Sequence, residues 1–436
     1  MYLGNEFADR KSKSGEAIGY QGDGHLLTIG PTRSGKSRRL LIPNLLYEID
    51  RSAVVIDIKG ELAAATAARR TARGGKVVAL DPFGELVRRG IGVPRIGFNP
   101  MLRLDKTDDN FVDDAVGLAE SLVQVSPEMK EPHWAESAQD FVAGLIMLVR
   151  CTYGDKATLG MVRREISRSA AQIEMVARQV LKSPPHEAIA NKLSKFSDTK
   201  DNKELAGIMS TAQTQTRFLD SPNIVKNLAA GAIDFGLLKE QAITIYLVLP
   251  PERLVTHAKW LRLVIGSAMT DMQRTKPPPA QSKRPDVLFM LDEFPQLGRL
   301  QSIEIAVSLN AGFGVKIWVA VQHLGQLKQQ YGDNWETFLS AGCVTAFAPR
   351  DVFTRDHLTK LIGAGWKPMD STSYNTGGGV GVTTSMQKDD LMPPSEWREM
   401  ILGEHFAFIP TPGGQLIERL YSPDFTEIPD LKTASR

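Results

Sequence analysis

The chain has 436 residues, 42% of them apolar and 23% charged, with a net charge of +2. That is an ordinary soluble composition with room for two or more domains, and its near-neutrality confines any nucleic-acid contact to a local patch. Two cysteines, Cys151 and Cys343, exclude a disulfide framework and suit a reducing compartment.

The polar start MYLGNEFADRKSKSGE carries no signal-peptide pattern. The first strong element is LLTI (26–29), a short strand that enters GPTRSGKS (30–37). Gly30, Gly35, Lys36 and Ser37 fit G-x-x-x-x-G-K-[ST], the phosphate-binding loop. Glycines let the backbone curl so that its N–H groups face phosphate oxygens, Lys36 supplies a mobile ammonium, and the Ser37 hydroxyl is a hard ligand for Mg²⁺. Gly30, Thr32, Arg33, Ser34, Gly35, Lys36, Ser37 and Arg38 are therefore the expected nucleotide-binding residues. SRRLLIPNLL (37–46) begins a helix that Pro43 is expected to end or kink.

Short β-branched runs then recur: SAVVIDI (52–58), KVVALD (76–81), AITIYLVLP (242–250), DVLFMLD (286–292), VKIWVAVQ (315–322) and CVTAFAP (343–349). They read as buried parallel strands alternating with helices, an α/β fold. Between 105 and 235 every pattern has helical period, as in HWAESAQDFVAGLIMLVR (133–150). The expected organisation is an α/β domain over 1–104 and 236–436, interrupted by an all-α domain over 105–235. The longest apolar stretch, FVAGLIMLV (141–149), is about half a membrane span, so no bilayer crossing is expected. TKPPPAQSKRP (275–285) reads as a proline-rich loop, and STSYNTGGGVGVTTS (371–385) as a mobile one. No internal repeat stands out. The clusters Arg38/Arg39, Arg69/Arg70/Arg73/Lys76 and Arg163/Arg164/Arg168 are expected on solvated faces.

A hydrolysing phosphate loop needs carboxylates on a neighbouring strand, one for Mg²⁺ and one to polarise the attacking water. Asp57 ends one apolar strand but offers a single carboxylate. Asp292 and Glu293 end another and offer two, so Asp292 is expected to serve the metal and Glu293 the water. Gln322, at the tip of the next strand, suits a γ-phosphate sensor or a simple polar terminus. Arg350 and Arg355 follow the last parallel strand and suit either surface ion pairs or a finger reaching a neighbouring subunit's nucleotide. The histidines show no metal-ligand spacing, so ATP with its Mg²⁺ is the only cofactor set expected.

In chain order, HLLTIGPTRSGKS, VVIDIKGEL, DPFGE with FNP, HWAESAQDF, TIYLVLPPERL, LDEFPQLGRL, QHLGQLKQQYG and DDLMPPSEWREM together resemble the type IV secretion coupling proteins. These are the TraG/TraD-type conjugative ATPases related to FtsK and HerA motors. The resemblance implies a RecA-like P-loop nucleotide-binding domain with an inserted all-α domain, assembled as a homohexamer and monomeric in solution when unanchored. It implies ATP hydrolysis at subunit interfaces, with Lys36 and Ser37 in the phosphate-loop roles, Asp292 and Glu293 on metal and water, Gln322 as sensor and Arg350 preferred over Arg355 as the finger. It also implies partners: DNA, a relaxase–DNA complex or protein effectors, and secretion-channel components at the cytoplasmic face of the inner membrane. The family's usual N-terminal membrane helices have no counterpart before this phosphate loop, so membrane contact is expected through partners or a missing anchor. Two other functions fit the same motifs: a cargo adaptor using ATP as an assembly switch, and a soluble DNA translocase. No N-K-x-D guanine-reading motif is present, which argues against a GTPase.

Overall fold

A computed structural model describes residues 1–7, 15–125, 132–198, 203–231, 233–276, 285–309, 312–374 and 380–432, with backbone alone for 367–374, 380–384 and 432. Its strands are β1 (Tyr2–Glu6), β2 (Ala17–Gly19), β3 (His25–Ile29), β4 (Ala53–Ile56), β5 (Lys76–Leu80), β6 (Ile243–Leu247), β7 (Val287–Leu291), β8 (Val315–Val321), β9 (Gly342–Phe347), β10 (Ala364–Tyr374), β11 (Val380–Asp390), β12 (Glu404–Thr411) and β13 (Gly414–Tyr421). Eleven of them form one sheet in the order β2-β1-β13-β12-β9-β3-β8-β7-β4-β6-β5. The seven from β9 to β5 pair in parallel, and they are the seven apolar runs that the sequence marks as strands. Their carboxyl ends therefore lie along one edge, where sheets of this kind bind ligands. β12, β13, β1 and β2 extend the sheet antiparallel to β9 and to each other.

Alternation along each central strand divides the core. Leu27, Ile29, Val54 and Ile56 belong to one buried cluster, and Leu26, Ala53 and Val55 to the other, as a period of two requires. The second cluster is closed by the helices Ile42–Tyr47 and Glu61–Ala72 and by Phe425 and Leu431 near the C-terminal end. The first cluster runs without a break into the helical block, through Phe111, Phe141 and Ile208. Every described helix or strand from Phe111 to Asn227 is a helix. Trp260 on the long helix Pro251–Arg274 donates its indole N–H to Asn227 Oδ1 (3.1 Å), and Arg103 pairs with Asp271 (2.6 Å). The buried Trp260–Asn227 contact thus fastens the end of the helical block to the long helix Pro251–Arg274.

Three local expectations need correction. The segment 371–385 is strand wherever it is described, at 371–374 and 380–385, within the β10–β11 antiparallel hairpin. Its Ser/Thr/Val content favours extended backbone more than its glycines favour a loop. Residues 375–379, and 277–284 of the proline-rich loop, lie outside the described residues. Pro43 does not end its helix. The turn Ser37–Leu41 is wound in π register, with Ile42 N–H bonding Ser37 O, and an α-helix follows from Ile42. In that register Pro43 would have served the Arg38 carbonyl, and Phe425 N–H takes that acceptor instead (3.1 Å). Arg70 lies on no solvated face. It is buried, and its guanidinium collects the carbonyls of Leu45 (2.6 Å), Glu48 (3.1 Å) and Arg51. The first two are orphan acceptors at the end of the Ile42–Tyr47 helix, and the third belongs to the turn beyond it.

Candidate active site

β3 delivers the phosphate loop at the centre of the sheet edge. Gly30 leaves a side chain no room unless Ser34 moves: a Cβ there would sit 2.6 Å from Ser34 Oγ. Gly35 has φ +90°, a conformation disfavoured for any side chain. The loop closes with Ser34 N–H on Pro31 O (3.0 Å) and Arg39 N–H on Gly35 O (2.8 Å). Ser34 Oγ is buried inside the curl without a hydrogen-bond partner among the described residues. A cradle with no room for a Cβ and one unspent hydroxyl fits a phosphoryl group. Thr32 and Arg33 stand exposed on the rim.

Lys36, at the foot of the loop, is buried and reaches across to β7. Its Nζ lies 3.0 Å from Glu293 Oε1 and 3.6 Å from Asp292 Oδ1. Ser37 Oγ donates to Asp292 Oδ2 (3.2 Å). Gln322, at the tip of β8 between them, donates through Nε2 to Glu293 Oε2 (3.0 Å), and Gln326 holds its backbone N–H (2.9 Å). Five residues spread over nearly 300 positions of chain thus meet in one network. Consecutive residues of a strand point to opposite faces, so Asp292 and Glu293 could not both turn towards Lys36 on a regular strand. Glu293 resolves this by adopting φ +52°, ψ +35°, a left-handed conformation costly for a residue with a Cβ and characteristic of functional sites. Asp292 Oδ1 braces the kink by accepting Glu293 N–H (3.0 Å).

The two acids are driven apart in proton affinity. Burial pushes Asp292 up despite the Lys36 charge, and the Glu293 charge adds to the rise. Burial works to raise Glu293 as well, but the Lys36 ammonium and hydrogen bonds from Gln322 and Lys36 prevail and hold it below the ordinary value. Lys59, from the turn after β4, adds its charge in the same direction; nothing in its sequence context marks it. Ser37 Oγ and the Asp292 carboxylate meet as hard oxygen donors beside the loop, a set that suits Mg²⁺.

Asp57 does something else. It is 3% exposed, and its Oδ2 accepts Ala63 N–H (2.7 Å), capping the helix that follows the left-handed Gly60. Asp81 repeats the arrangement at β5, accepting Glu85 N–H (2.9 Å) and Leu86 N–H (3.0 Å) after the left-handed Gly84. DIKGEL (57–62) and DPFGEL (81–86) are therefore one strand–turn–helix device used twice, a short internal repeat legible as D-x-x-G-E-L. Burial pushes Asp57 from 3.8 up to about 6, against hydrogen bonds from the helix N–H groups. An acid whose folded value exceeds its unfolded one contributes stability at low pH and loses it as pH rises through about 4 to 6, here by up to ~3 kcal/mol. Asp57→Asn is accordingly expected to gain on the wild type as pH rises from 4 to 7, as thermal melts at pH 4, 5.5 and 7 would record.

The Arg38 side chain turns away from the loop, donating to Asp424 Oδ2 (2.6 Å) and Oδ1 (2.9 Å) over the Phe425 ring. Its backbone stays with the loop. Arg350 is exposed at the tip of β9 and makes no contact with the Lys36 network; it lines a neighbouring cavity together with Arg355.

A family model described as "Type IV secretory system Conjugative DNA transfer" matches residues 5–410. The conjugal transfer protein TraG of Escherichia coli is 27% identical over 366 residues, covering 79% of this chain and 56% of the relative. VirD4 of Agrobacterium fabrum is 29% identical over 357 residues, covering 80% and 51%. The chain thus spans about half the length of these curated relatives. Among solved structures, the bacterial conjugative coupling protein TrwBdeltaN70 superposes with a TM-score of 0.66 at 15% identity, over 92% of this chain and 85% of that one. A structure of the plasmid coupling protein TrwB in complex with ADP and Mg²⁺ gives the same score and coverage at 14% identity. At that identity the likeness concerns the fold: a RecA-like P-loop sheet with a helical insertion. Since the family model extends over far more than half of the sequence, the chain belongs to the type IV secretory system conjugative DNA transfer family.

Proposed function

We propose that the chain is an ATP-hydrolysing coupling protein that drives DNA–protein or effector substrates towards a type IV secretion channel. The observation that carries this reading is the network joining Lys36, Ser37, Asp292, Glu293 and Gln322 at the tips of β3, β7 and β8. In this reading Ser37 and Asp292 hold Mg²⁺, which when bound neutralises phosphate charge. Lys36 leaves the carboxylates for the β and γ phosphates. Glu293, relieved of that ammonium, becomes more basic and orients the attacking water as its base. Gln322 stays hydrogen-bonded to Glu293 and registers whether a γ-phosphate is present.

In the same reading Arg350, exposed and outside this network, would complete a neighbouring subunit's site in a homohexamer. Residues 105–235 would serve as an all-α domain available to cargo, beside an ATPase domain of 1–104 and 236–436. Among the described residues no helix is long and apolar enough to cross a membrane. Work at the cytoplasmic face of the inner membrane would then rely on partners or on a segment outside this sequence.

The test is ATP turnover with and without single- and double-stranded DNA, read beside solution mass. A severalfold DNA-stimulated rate accompanied by a shift from monomer towards hexamer is expected. Flat rates from an unvarying monomer would favour the adaptor, in which nucleotide serves assembly alone.

A further inference from the structure

A cavity of about 370 Å³ lies one strand from the phosphate loop, lined by Ala348, Pro349, Arg350, Arg355, Arg398 and Met400, with Trp397 behind. Its floor continues β9, whose Phe347 Cβ lies 3.4 Å from where a Cβ on Gly30 would stand. Three guanidinium groups therefore face one space. None forms an ion pair with a carboxylate among the described residues. Arg355 is only 7% exposed, and its Nε is buried with no hydrogen-bond partner. A buried guanidinium nitrogen without a partner is costly unless something compensates it, and two further cations beside it raise that cost. An anion in the cavity removes it, since guanidinium forks match phosphoryl oxygens.

The walls are held in place. Asp351 caps the helix Val352–Ile362 that carries Arg355, through Thr354 N–H (2.8 Å). Thr354 Oγ1 accepts Leu324 N–H (3.0 Å), two residues beyond Gln322. Trp397 Nε1 donates to Thr359 Oγ1 (3.1 Å), which fixes the Arg398 side against the same helix. Arg355, buried as it is, serves a ligand that enters the cavity; it cannot extend to a neighbouring subunit as an exposed arginine can.

The geometry points to a second phosphoryl-binding pocket on this chain, separate from the phosphate loop, with Arg355 as its anchor and Arg398 as its flank, Arg350 standing at the rim. Two sources carry a phosphoryl group of this kind, a free phosphate compound and a nucleic-acid backbone. Equilibrium titration of the whole chain with inorganic pyrophosphate, and separately with an oligo-dT 12-mer lacking terminal phosphates, distinguishes the sources. The wild type is expected to take up two pyrophosphates. Arg355→Gln should weaken one of them about tenfold or more, and Arg398→Ala, at an exposed position that leaves packing intact, should weaken the same one severalfold. Lys36→Ala should abolish the other and spare this one. Oligonucleotide binding that is lost in Arg355→Gln and Arg398→Ala, with pyrophosphate a poor competitor, identifies the backbone as the source; the reverse preference identifies a free phosphate. A single pyrophosphate site that vanishes with Lys36→Ala, with no oligonucleotide bound, would overturn the proposal. So would binding of both probes that neither arginine variant changes. A failure of the Lys36 site with this site retained would count against the ATPase reading alone.

Discussion

Glu293→Gln is expected to lower ATP turnover by about 10²–10⁴-fold, the usual contribution of a positioned general base. Nucleotide affinity should stay within about threefold, because the amide keeps the volume while Lys36 and the glycine loop still hold the phosphates. The left-handed backbone at Glu293 explains why no neighbour can substitute: only this kink turns the second carboxylate to the same side as Asp292. The measurement pairs steady-state phosphate release with equilibrium binding of an ATP analogue. Turnover within tenfold of the wild type would remove Glu293 from the chemistry. Loss of binding alongside turnover would make it a structural partner of Lys36 instead. If turnover is lost while substrate transfer survives, the adaptor reading gains.

Lys36→Ala should produce two effects with opposite dependence on nucleotide. With ATP present, affinity should fall by about 100-fold or more, since a charge-assisted contact to the phosphates is gone. Without ATP, the protein should itself be destabilised, because Lys36 is the cation that Asp292 and Glu293 share. Removing one partner of a buried pair costs about 3–5 kcal/mol. These carboxylates retain 17% and 27% of their side-chain exposure, so a loss of about 1–2 kcal/mol is the better expectation. Its pH dependence follows from sign. Without the ammonium, burial raises both acids in the folded state, and raised acids cost stability above their unfolded values. The deficit should be largest near pH 7.5, shrink as pH falls towards 4, and be partly restored by adding Glu293→Gln. Nucleotide-free melts across that range check it; an apo protein as stable as the wild type throughout would show the observed pairing to be energetically idle.

Much of this was legible in the sequence because the central strands are buried on both faces. SAVVIDI or VKIWVAVQ can be little else than an interior parallel strand, and the phosphate loop fixes which edge carries the chemistry. β12 and β13 are hard to read because FAFIPTPGGQLIERLY alternates only partly and contains two prolines; pairing with β9 decides its structure. Asp57 and Asp292 look alike as strand-end acids. What separates them is the backbone that follows: three residues after Asp57, Gly60 opens a helix whose N–H groups occupy that carboxylate, while Glu293, directly after Asp292, bends back over its own strand. The arginines were the least readable. Arg38, Arg70 and Arg355 are equal charges on paper, and the fold sends one to Asp424, one to helix carbonyls and one to an unpaired place in a cavity.

The decisive measurement is a structure of the protein with a non-hydrolysable ATP analogue and Mg²⁺. Lys36 Nζ should swing from Glu293 to the β and γ phosphates, Ser37 Oγ should exchange the Asp292 carboxylate for the metal, and Glu293 should face a water in line with the γ-phosphorus while still bonded to Gln322. An analogue seated away from the glycine turn, with Lys36 still clamped on Glu293, would contradict the account at its root.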